Sequence, residues 1–288
     1  MAPRTRARRL AGAVLALAAA VTAAVTAAGA HDFSILPSDG KAAPDQPFDL
    51  SMHVGVVFPG DEVAWRTGHV VELAIVDARG RRDIETPEIA GDPGKARLSL
   101  RIPGTAVVAL ATDASYITLE AEKFDAYLDE EGHHAAIEAR RKGLAPRGEG
   151  RERYTRHVKT ILNPGGPSAS VALTRVGLAL EIVPEKSLTA LHPGGKIPVR
   201  VFFKGEPVPG GRLCATDAGQ PGDDAHPYAW CGTLDGAGRI DAPIGARGWE
   251  MLRITKMIPI YDDPKADWHS FWASLTFPVD DQAQGTTR

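Results

Sequence analysis

The chain has 288 residues, of which Lys and Arg account for 33 and Asp and Glu for 36, so its formal net charge is −3. Four of the basic residues and none of the acids fall within residues 1–30, which leaves the rest of the chain with 29 basic and 36 acidic residues and a net charge of −7. A mildly acidic protein is a poor partner for nucleic acid, and we expect none to bind. The length suits two domains of ordinary size.

Residues 1–30 have the pattern of a secretory signal peptide. A cluster of four arginines is followed by an apolar stretch over residues 10–28, and Ala28-Gly29-Ala30 supplies a small-x-small cleavage site. The competing interpretation is an uncleaved membrane anchor, but alanine dominates the stretch and gives it a weak drive to insert. No second apolar stretch of this length follows. We therefore expect cleavage, a mature chain without a membrane span, and a periplasmic or secreted location.

Cleavage after Ala30 would make His31 the first residue of the mature protein. A terminal histidine offers a metal its α-amine and its imidazole Nδ1 together in one chelate ring. Because an α-amine gives up its proton near neutral pH, metal binding there needs little proton release. The alternative is a frayed, solvated terminus. His31 is the first predicted metal ligand.

Residues 31–172 are predicted to form an N-terminal β-sandwich. Short segments rich in Val, Ile and Leu alternate with Gly and Pro turns, and nothing helical separates consecutive strands, which is typical of antiparallel β structure. The predicted strands cover residues 48–54, 70–76, 97–102, 105–110 and 116–119.

A helical insertion interrupts this domain at about residues 121–142, where helix propensity is high. Phe124 with Leu128, and Ala135 with Ala139, are predicted to line its buried face. Gly132 lies between the two pairs and is predicted to divide or bend the helix. The basic residues that follow, from Arg140 to Lys159, are predicted to occupy a solvated loop and a charged strand whose arginines pair with the acidic helix, with anion binding as the alternative.

Residues 163–168, Asn-Pro-Gly-Gly-Pro-Ser, form the best linker in the chain. A second β-sandwich is predicted over residues 173–288, with strands at 178–184, 196–203, 212–216, 239–244, 250–257 and 270–277. The two cysteines, Cys214 and Cys231, are too far apart for a CxxC zinc or redox motif. In an oxidising compartment we expect them to form one structural disulfide, with two free buried thiols as the alternative.

Several motifs in order along the chain resemble an exported family of unknown function, the DUF4198 type, which is grouped with accessory proteins of bacterial nickel and cobalt uptake. The resemblance starts at His31-Asp32-Phe33 and is carried by Lys123-Phe124, Tyr127-Leu128, Glu131-Gly132, Arg153-Tyr154-x-Arg156-x-x-Lys159, Leu180-Glu181-Ile182-Val183-Pro184, Gly205-Glu206-Pro207-Val208-Pro209-Gly210 and residues 268–277. It implies an extracytoplasmic protein with two immunoglobulin-like or carboxypeptidase-regulatory-like β domains and a role with a divalent metal.

Two further histidines are predicted to join His31 at a metal site. His53 lies on the polar face of its strand and His69 begins the next strand, so both could point to one surface patch. An amine with imidazoles suits copper or nickel, whose preferred geometries are tetragonal, better than magnesium or calcium. This donor set resembles the histidine brace of copper oxygenases, which we keep as a minor alternative.

No sequence motif for catalysis is present: there is no GxSxG, HExxH, P-loop or Rossmann fingerprint. We therefore predict that the protein is not an enzyme. The predicted function is extracytoplasmic binding of a transition metal, with nickel or cobalt delivery to a membrane uptake system. The alternative is a non-catalytic adhesion or interaction module, because β-sandwich folds specify no chemistry by themselves.

Overall fold

The computed structural model describes residues 31–66, 68–219, 222 and 227–279. The predicted signal peptide lies outside these residues. The first part of the described chain forms, in order, β1 (Asp32–Pro37), β2 (Pro47–Gly55), β3 (Asp61–Val63), β4 (Val70–Asp77), β5 (Gly80–Asp83), β6 (Glu88–Ala90), β7 (Lys95–Ser99), β8 (Ala106–Thr112), β9 (Ser115–Leu119), α1 (Ala121–Glu130), α2 (His134–Arg141) and β10 (Gly150–Leu162).

The second part contains only strands and two short 3₁₀ turns among its described residues. The turns span Ala169–Leu173 and Leu188–Ala190. The strands are β11 (Leu180–Pro184), β12 (Lys196–Phe203), β13 (Glu206–Pro207), β14 (Arg212–Asp217), β15 (Trp230–Thr233), β16 (Arg239–Pro243), β17 (Gly248–Pro259) and β18 (Trp268–Val279). No helix in the described ranges is both long and apolar enough to cross a membrane.

The strands form three sheets, and the largest runs through both halves of the chain. Its nine strands follow the order β15-β14-β17-β18-β10-β8-β4-β5, with β9 paired to β10. A five-stranded sheet of β1, β2, β3, β6 and β7 covers part of it, and a four-stranded sheet of β11, β12, β13 and β16 covers another part. The predicted mainly β sandwich fold with a helical insertion is confirmed.

β10 is the strand that joins the two hydrophobic cores. Successive side chains of a strand point to opposite faces, and Val158 packs in the core under the five-stranded sheet while Ile161 packs in the core under the four-stranded sheet. β10 also pairs in parallel with β18, more than a hundred residues later. Strands from both sides of the predicted domain boundary at residues 172 and 173 therefore share one sheet, and the boundary itself stays a prediction.

The helical insertion divides at Gly132, as predicted. Gly132 has φ +72°, a left-handed conformation that costs glycine little, and it lies between α1 and α2. Phe124 and Leu128 are fully buried against the tryptophans of β18. Of the second pair, Ala139 packs against the same cluster as predicted. The prediction for Ala135 was wrong, because the turn at Gly132 resets the helical phase: Ala135 is exposed and Ala136 is buried in its place.

The arginines of the basic stretch do not generally pair with the acidic helix. Those at its start do so: Arg140 pairs with Asp125 of α1 at 2.8 Å, and Arg141, like Lys142, pairs with Glu138 of α2. Arg151 and Arg153, however, pair with aspartates of the loop between β17 and β18, which lies beside the start of β10. That part of the prediction was wrong because the parallel pairing of β10 with β18 brings this distant loop closer than the helix.

The predicted disulfide is present. Cys214 on β14 and Cys231 on β15 are direct cross-strand partners with Cα atoms 4.0 Å apart, and their sulfurs are bonded. The disulfide joins the edge strand β15 of the nine-stranded sheet to its neighbour β14. Disulfides persist in oxidising compartments. The bond therefore agrees with the oxidising compartment that the sequence predicts.

Candidate functional site

The three predicted metal ligands are placed in different surroundings. His53 is half-buried on β2, where its Nε2 lies 2.8 Å from the Ser51 hydroxyl and where burial lowers its pKa. His69 precedes β4, and its Nδ1 contacts the half-exposed Asp113 carboxylate. Within the described residues, no group of three or more His, Cys, Asp or Glu side chains is placed to hold a metal ion. The structure therefore does not gather His31, His53 and His69, and their ligand role stays a prediction.

Side chains of the nine-stranded sheet hold the backbone at His31 in place. β1 is an edge strand that pairs only with β2 among the described strands, so its outer carbonyl groups need other donors. Side chains of β18 donate to two of them: the Ser274 hydroxyl to the Phe33 carbonyl at 2.8 Å and the Thr276 hydroxyl to the Ile35 carbonyl at 2.9 Å. The Arg156 Nη1 donates to the His31 carbonyl at 2.8 Å. Side chains of β10 and β18 therefore hold the backbone from residue 31 to residue 35.

The side chain of the next residue, Asp32, enters a buried ion network. The Arg253 Nε donates to Asp32 Oδ1 at 2.8 Å, and the Tyr228 hydroxyl also bonds this carboxylate. The Nη1 and Nη2 atoms of the same guanidinium bind Glu131 in a bidentate pair. Nη2 lies 2.9 Å from Oε1, and Nη1 donates to Oε2. Arg253 is 3 % exposed, and Asp32 and Glu131 are buried with it. One arginine therefore joins the start of β1 to the turn after α1.

Burial and charge act in opposite directions on the two acids. Burial raises the pKa of Asp32, and the nearby Glu131 adds to this effect although Arg253 opposes it. Burial would also raise the pKa of Glu131, but the bidentate Arg253 overcomes it and holds that pKa below its usual value. For Arg253, the attraction of both acids outweighs burial and holds its pKa well above the usual value. The network contains a permanent cation and at least one carboxylate.

A histidine that the sequence analysis did not select lies beside this network. His133, at the turn before α2, has its Nε2 3.1 Å from the Thr255 hydroxyl, and that hydroxyl donates to Glu131 at 2.8 Å. Burial lowers the pKa of His133 to about 4, and the attraction of Glu131 only partly offsets this. The imidazole is therefore neutral at pH 7.

Aromatic rings form the floor of the site. The guanidinium carbons of Arg253 and Arg156 lie 5.0 and 5.7 Å from the ring centre of Trp272, within range of a cation–π contact. Tyr127 stacks nearly parallel to the same indole, with an interplanar angle of 4°. Arg253 is held between this aromatic face and two carboxylates, and Arg156 between aromatic rings and the His31 carbonyl, so both arginines support the start of β1.

Sequence reasoning missed this network because its members are scattered over more than two hundred residues. One signal was present: Arg253 interrupts the apolar strand pattern Met251-Leu252-Arg253-Ile254. A charged side chain in a strand with buried neighbours on both sides is paired when it is buried. The identity of the partners, Asp32 and Glu131, carries no local signal.

The comparison with protein families now supplies a name for the chain's relatives. A family model described as "Domain of unknown function (DUF4198)" matches residues 28–257. The chain belongs to this family. The matched range contains Asp32, Glu131, His133, Arg253 and Thr255, so the ion network lies within the part that defines the DUF4198 domain.

Two other comparisons give no information about the function of this DUF4198 protein. No curated protein matches its sequence. Among solved structures, the chain is similar to the "D0-D1 domain of Intimin", with 13% identity over 86% of this chain and 98% of that chain and a TM-score of 0.20. A TM-score this low supports no inference about function.

Proposed function

We propose that this DUF4198 protein is exported, begins at His31 once its leader is removed, and captures a divalent transition metal ion with that residue for delivery to a membrane uptake system. The charge and apolar pattern of residues 1–30 supports export. The bond between Cys214 and Cys231 is consistent with an oxidising compartment. Nickel and cobalt come from the family resemblance, and copper from the donor chemistry.

The observation that carries the proposal is the anchoring of His31. A frayed terminus would make a poor metal site, because ordering it on binding costs conformational entropy. Here the His31 carbonyl accepts a hydrogen bond from buried Arg156, and the adjacent Asp32 is bound to Arg253. The α-carbon of the first mature residue is therefore held in place before any metal arrives, and less entropy is lost on binding.

The surrounding charges do not repel a cation. Arg156 and Arg253 bring two positive charges close to the terminus, and Asp32 and Glu131 lie beside them with two carboxylates. Arg253 binds Asp32 through Oδ1 and leaves Asp32 Oδ2 without a hydrogen-bond partner, while the α-amine and the imidazole of His31 would supply nitrogen donors. Nitrogen donors favour nickel and copper over calcium and magnesium, which prefer oxygen.

Release at a transporter would follow from ligand exchange or acidification. A proton competes with the metal for an α-amine and for an imidazole near neutral pH, so affinity should fall as the pH drops from about 7 to about 5. Binding that stays unchanged down to about pH 4 would contradict capture by these two nitrogens.

The proposal is tested on protein exported with its own leader. Intact mass establishes the mature N-terminus, and metal-free protein is then titrated with Ni(II), Co(II) and Cu(II). His31→Ala removes the imidazole but keeps the backbone carbonyl that Arg156 binds, so the fold should survive. His192→Ala, at an exposed histidine elsewhere in the chain, is the matched control.

We expect one tight site in the natural chain and in His192→Ala, and its loss in His31→Ala. A mature chain that begins elsewhere, or equal binding by His31→Ala, would refute metal capture at this terminus. Either result would favour the non-catalytic adhesion or interaction module.

A further inference from the structure

One groove exposes the edge of the hydrophobic core under the five-stranded sheet. It lies between the start of β4 and the chain that connects β5 to β6, and its volume is about 190 Å³. Trp65, Val70 and Ile84 line it, and all three pack against that core while staying only partly buried. An apolar side chain placed in the groove would therefore extend the core and lose contact with water.

Two exposed apolar side chains border this groove. Among the described residues, five large apolar side chains are exposed, and two of the five, Val71 and Ile89, belong to its lining. The pairing of β4 with β8 shifts register between Val70 and Glu72, so Val71 has no partner on β8 and is 63% exposed. Single exposed apolar residues are common, but two beside a partly buried tryptophan form a patch of the kind that marks protein interfaces.

The walls of the groove are held in place before anything binds. The Trp65 N–H donates to the Gly94 carbonyl at 3.0 Å, and the Ile84 N–H donates to the Leu73 carbonyl at 2.8 Å. Ile89 lies so close to Gly94 that a Cβ at the glycine would come within 2.6 Å of the Ile89 Cγ2. A rigid groove loses little conformational entropy on binding, which raises its affinity for a side chain that fits it.

The charged groups of the lining are acidic. Glu72 and Glu85 line the groove, and none of the described lining residues is Lys or Arg. Arg81 binds Glu72 at 2.9 Å, so that charge is already compensated. Glu85 is exposed and forms no ion pair or hydrogen bond with the described part of the chain. An occupant that covers this rim therefore gains from a positive charge beside Glu85.

Size and charge select the occupant. Small-molecule sites usually have volumes of about 300–1,000 Å³, which is more than this groove offers, whereas a single protein side chain needs less room. A second copy bound across a two-fold axis would bring the same acidic rim against itself, and like charges oppose such binding. The groove therefore fits a different protein, one that carries a basic residue near an exposed apolar one.

We propose that this groove is a docking site for a partner protein that inserts one bulky apolar side chain against Trp65 and places a lysine or arginine beside Glu85. Val71 of β4 and Ile89 of β6 contact the inserted side chain from the two strands that border the groove. The docking site goes beyond the proposed function and does not depend on metal capture, because none of its residues belongs to the mature terminus.

The test selects peptides from a phage-displayed random library on the immobilised mature chain. Selected peptides are synthesised, and fluorescence anisotropy gives their dissociation constants for the natural chain and its variants. Val71→Lys puts a charge at the mouth of the groove and should weaken binding by at least about tenfold, and Glu85→Gln should weaken it by roughly threefold. Leu144→Lys, at an apolar residue that lies outside the groove and is 72% exposed, is the matched control and should bind as the natural chain does.

We expect the selected peptides to share a bulky apolar residue with Lys or Arg close to it in sequence. A consensus without a basic residue, equal binding by Val71→Lys, or no enrichment above the Val71→Lys background would overturn the proposal. Sedimentation of the natural chain tests the other occupant, because a dimer that Val71→Lys abolishes would assign the groove to a second copy. His31→Ala should bind the peptides unchanged, so docking and metal capture are tested separately.

Discussion

Arg253 is the residue on which the anchored terminus depends, and Arg253→Met is the most informative perturbation. Methionine keeps most of the aliphatic volume and removes the guanidinium, which donates to Asp32 and forms the bidentate pair with Glu131. Both carboxyl groups are buried in the natural chain, and we expect them to stay buried in the variant. The variant therefore leaves two acids without their shared cation.

The expected loss of stability follows from the buried environment. Removing one partner of a buried ion pair typically costs about 3–5 kcal/mol, because the other charge is left without compensation. For a chain of this size, 1 kcal/mol shifts the melting temperature by about 2–4 °C, so we expect a decrease of roughly 6–20 °C at pH 8. The acids also take up protons more readily once the guanidinium is gone. The loss should therefore be smaller at pH 5 than at pH 8.

Urea unfolding followed by circular dichroism, with the disulfide intact, measures this loss. Arg239→Met is the matched control, since Arg239 forms an exposed pair with Glu185 and is 48% exposed. The control should lose less than about 1 kcal/mol. A loss of less than about 1 kcal/mol in Arg253→Met, at both pH values, would refute the claim that this network holds the start of β1.

Three further predictions concern the elements around the site. Burial raises the pKa of Glu152 to about 7 in the folded state, above the ordinary value of an unfolded chain, so its contribution is favourable in acid and is lost as the pH rises from about 4.5 to about 7. Glu152→Gln should therefore gain about 3 kcal/mol relative to the natural chain between pH 5 and pH 8 in urea unfolding, and an equal pH dependence in both proteins would contradict this. A Cβ at Gly150 would collide with the buried Phe124 ring, so Gly150→Ala should lose about 1–3 kcal/mol. Gly148→Ala, where a Cβ meets nothing within 4 Å, should lose clearly less, and equal losses would remove steric crowding as the cause. The bond between Cys214 and Cys231 spans a sequence separation of 17, so Cys214→Ala combined with Cys231→Ala should lower the free energy of unfolding by about 3 kcal/mol. A loss below about 1 kcal/mol would show that the edge strand β15 is held by other contacts.

Local patterns in the sequence were sufficient for most of the fold. The alternation in residues 48–54 predicted β2, which spans Pro47–Gly55, and the predicted strand at 70–76 corresponds to β4, Val70–Asp77. Gly132 was correctly predicted to divide the helical insertion, because left-handed backbone is a local property of glycine. These features depend on neighbours within a few residues, which one sequence displays directly.

Features set by distant partners were beyond this reasoning. β1 was not predicted as a strand, although all six of its residues are buried. Besides its pairing with β2, it is held by hydrogen bonds from Ser274 and Thr276, with Arg156 bonding the residue before it, and all three are more than a hundred residues away. A pattern shows that a charged residue in an apolar strand needs a partner, but the partner is chosen by how sheets pack.

The residues of the candidate site also divide into those that a local pattern indicates and those that only the fold brings together. The predicted cleavage site between Ala30 and His31 follows from leader chemistry, lies just before β1, and stays a prediction. The groups around it, Glu131, His133 and Arg253, come together only because the helical insertion folds back over β17. His53 and His69 were chosen for strand position alone, and the structure gives each of them a different neighbour, Ser51 and Asp113.

The most direct measurement compares the metal affinity of two chains of the same sequence, one beginning at His31 with a free α-amine and the other acetylated at that amine. Acetylation keeps every side chain of the site and converts only the α-amine of His31 into an amide, and it adds no new amine that could chelate a metal together with the imidazole. Intact mass confirms the two chains, and calorimetric titration with Ni(II) and Cu(II) gives the dissociation constants. The account predicts binding that is weaker by roughly tenfold or more in the acetylated chain. Equal dissociation constants would contradict metal capture by the terminal residue.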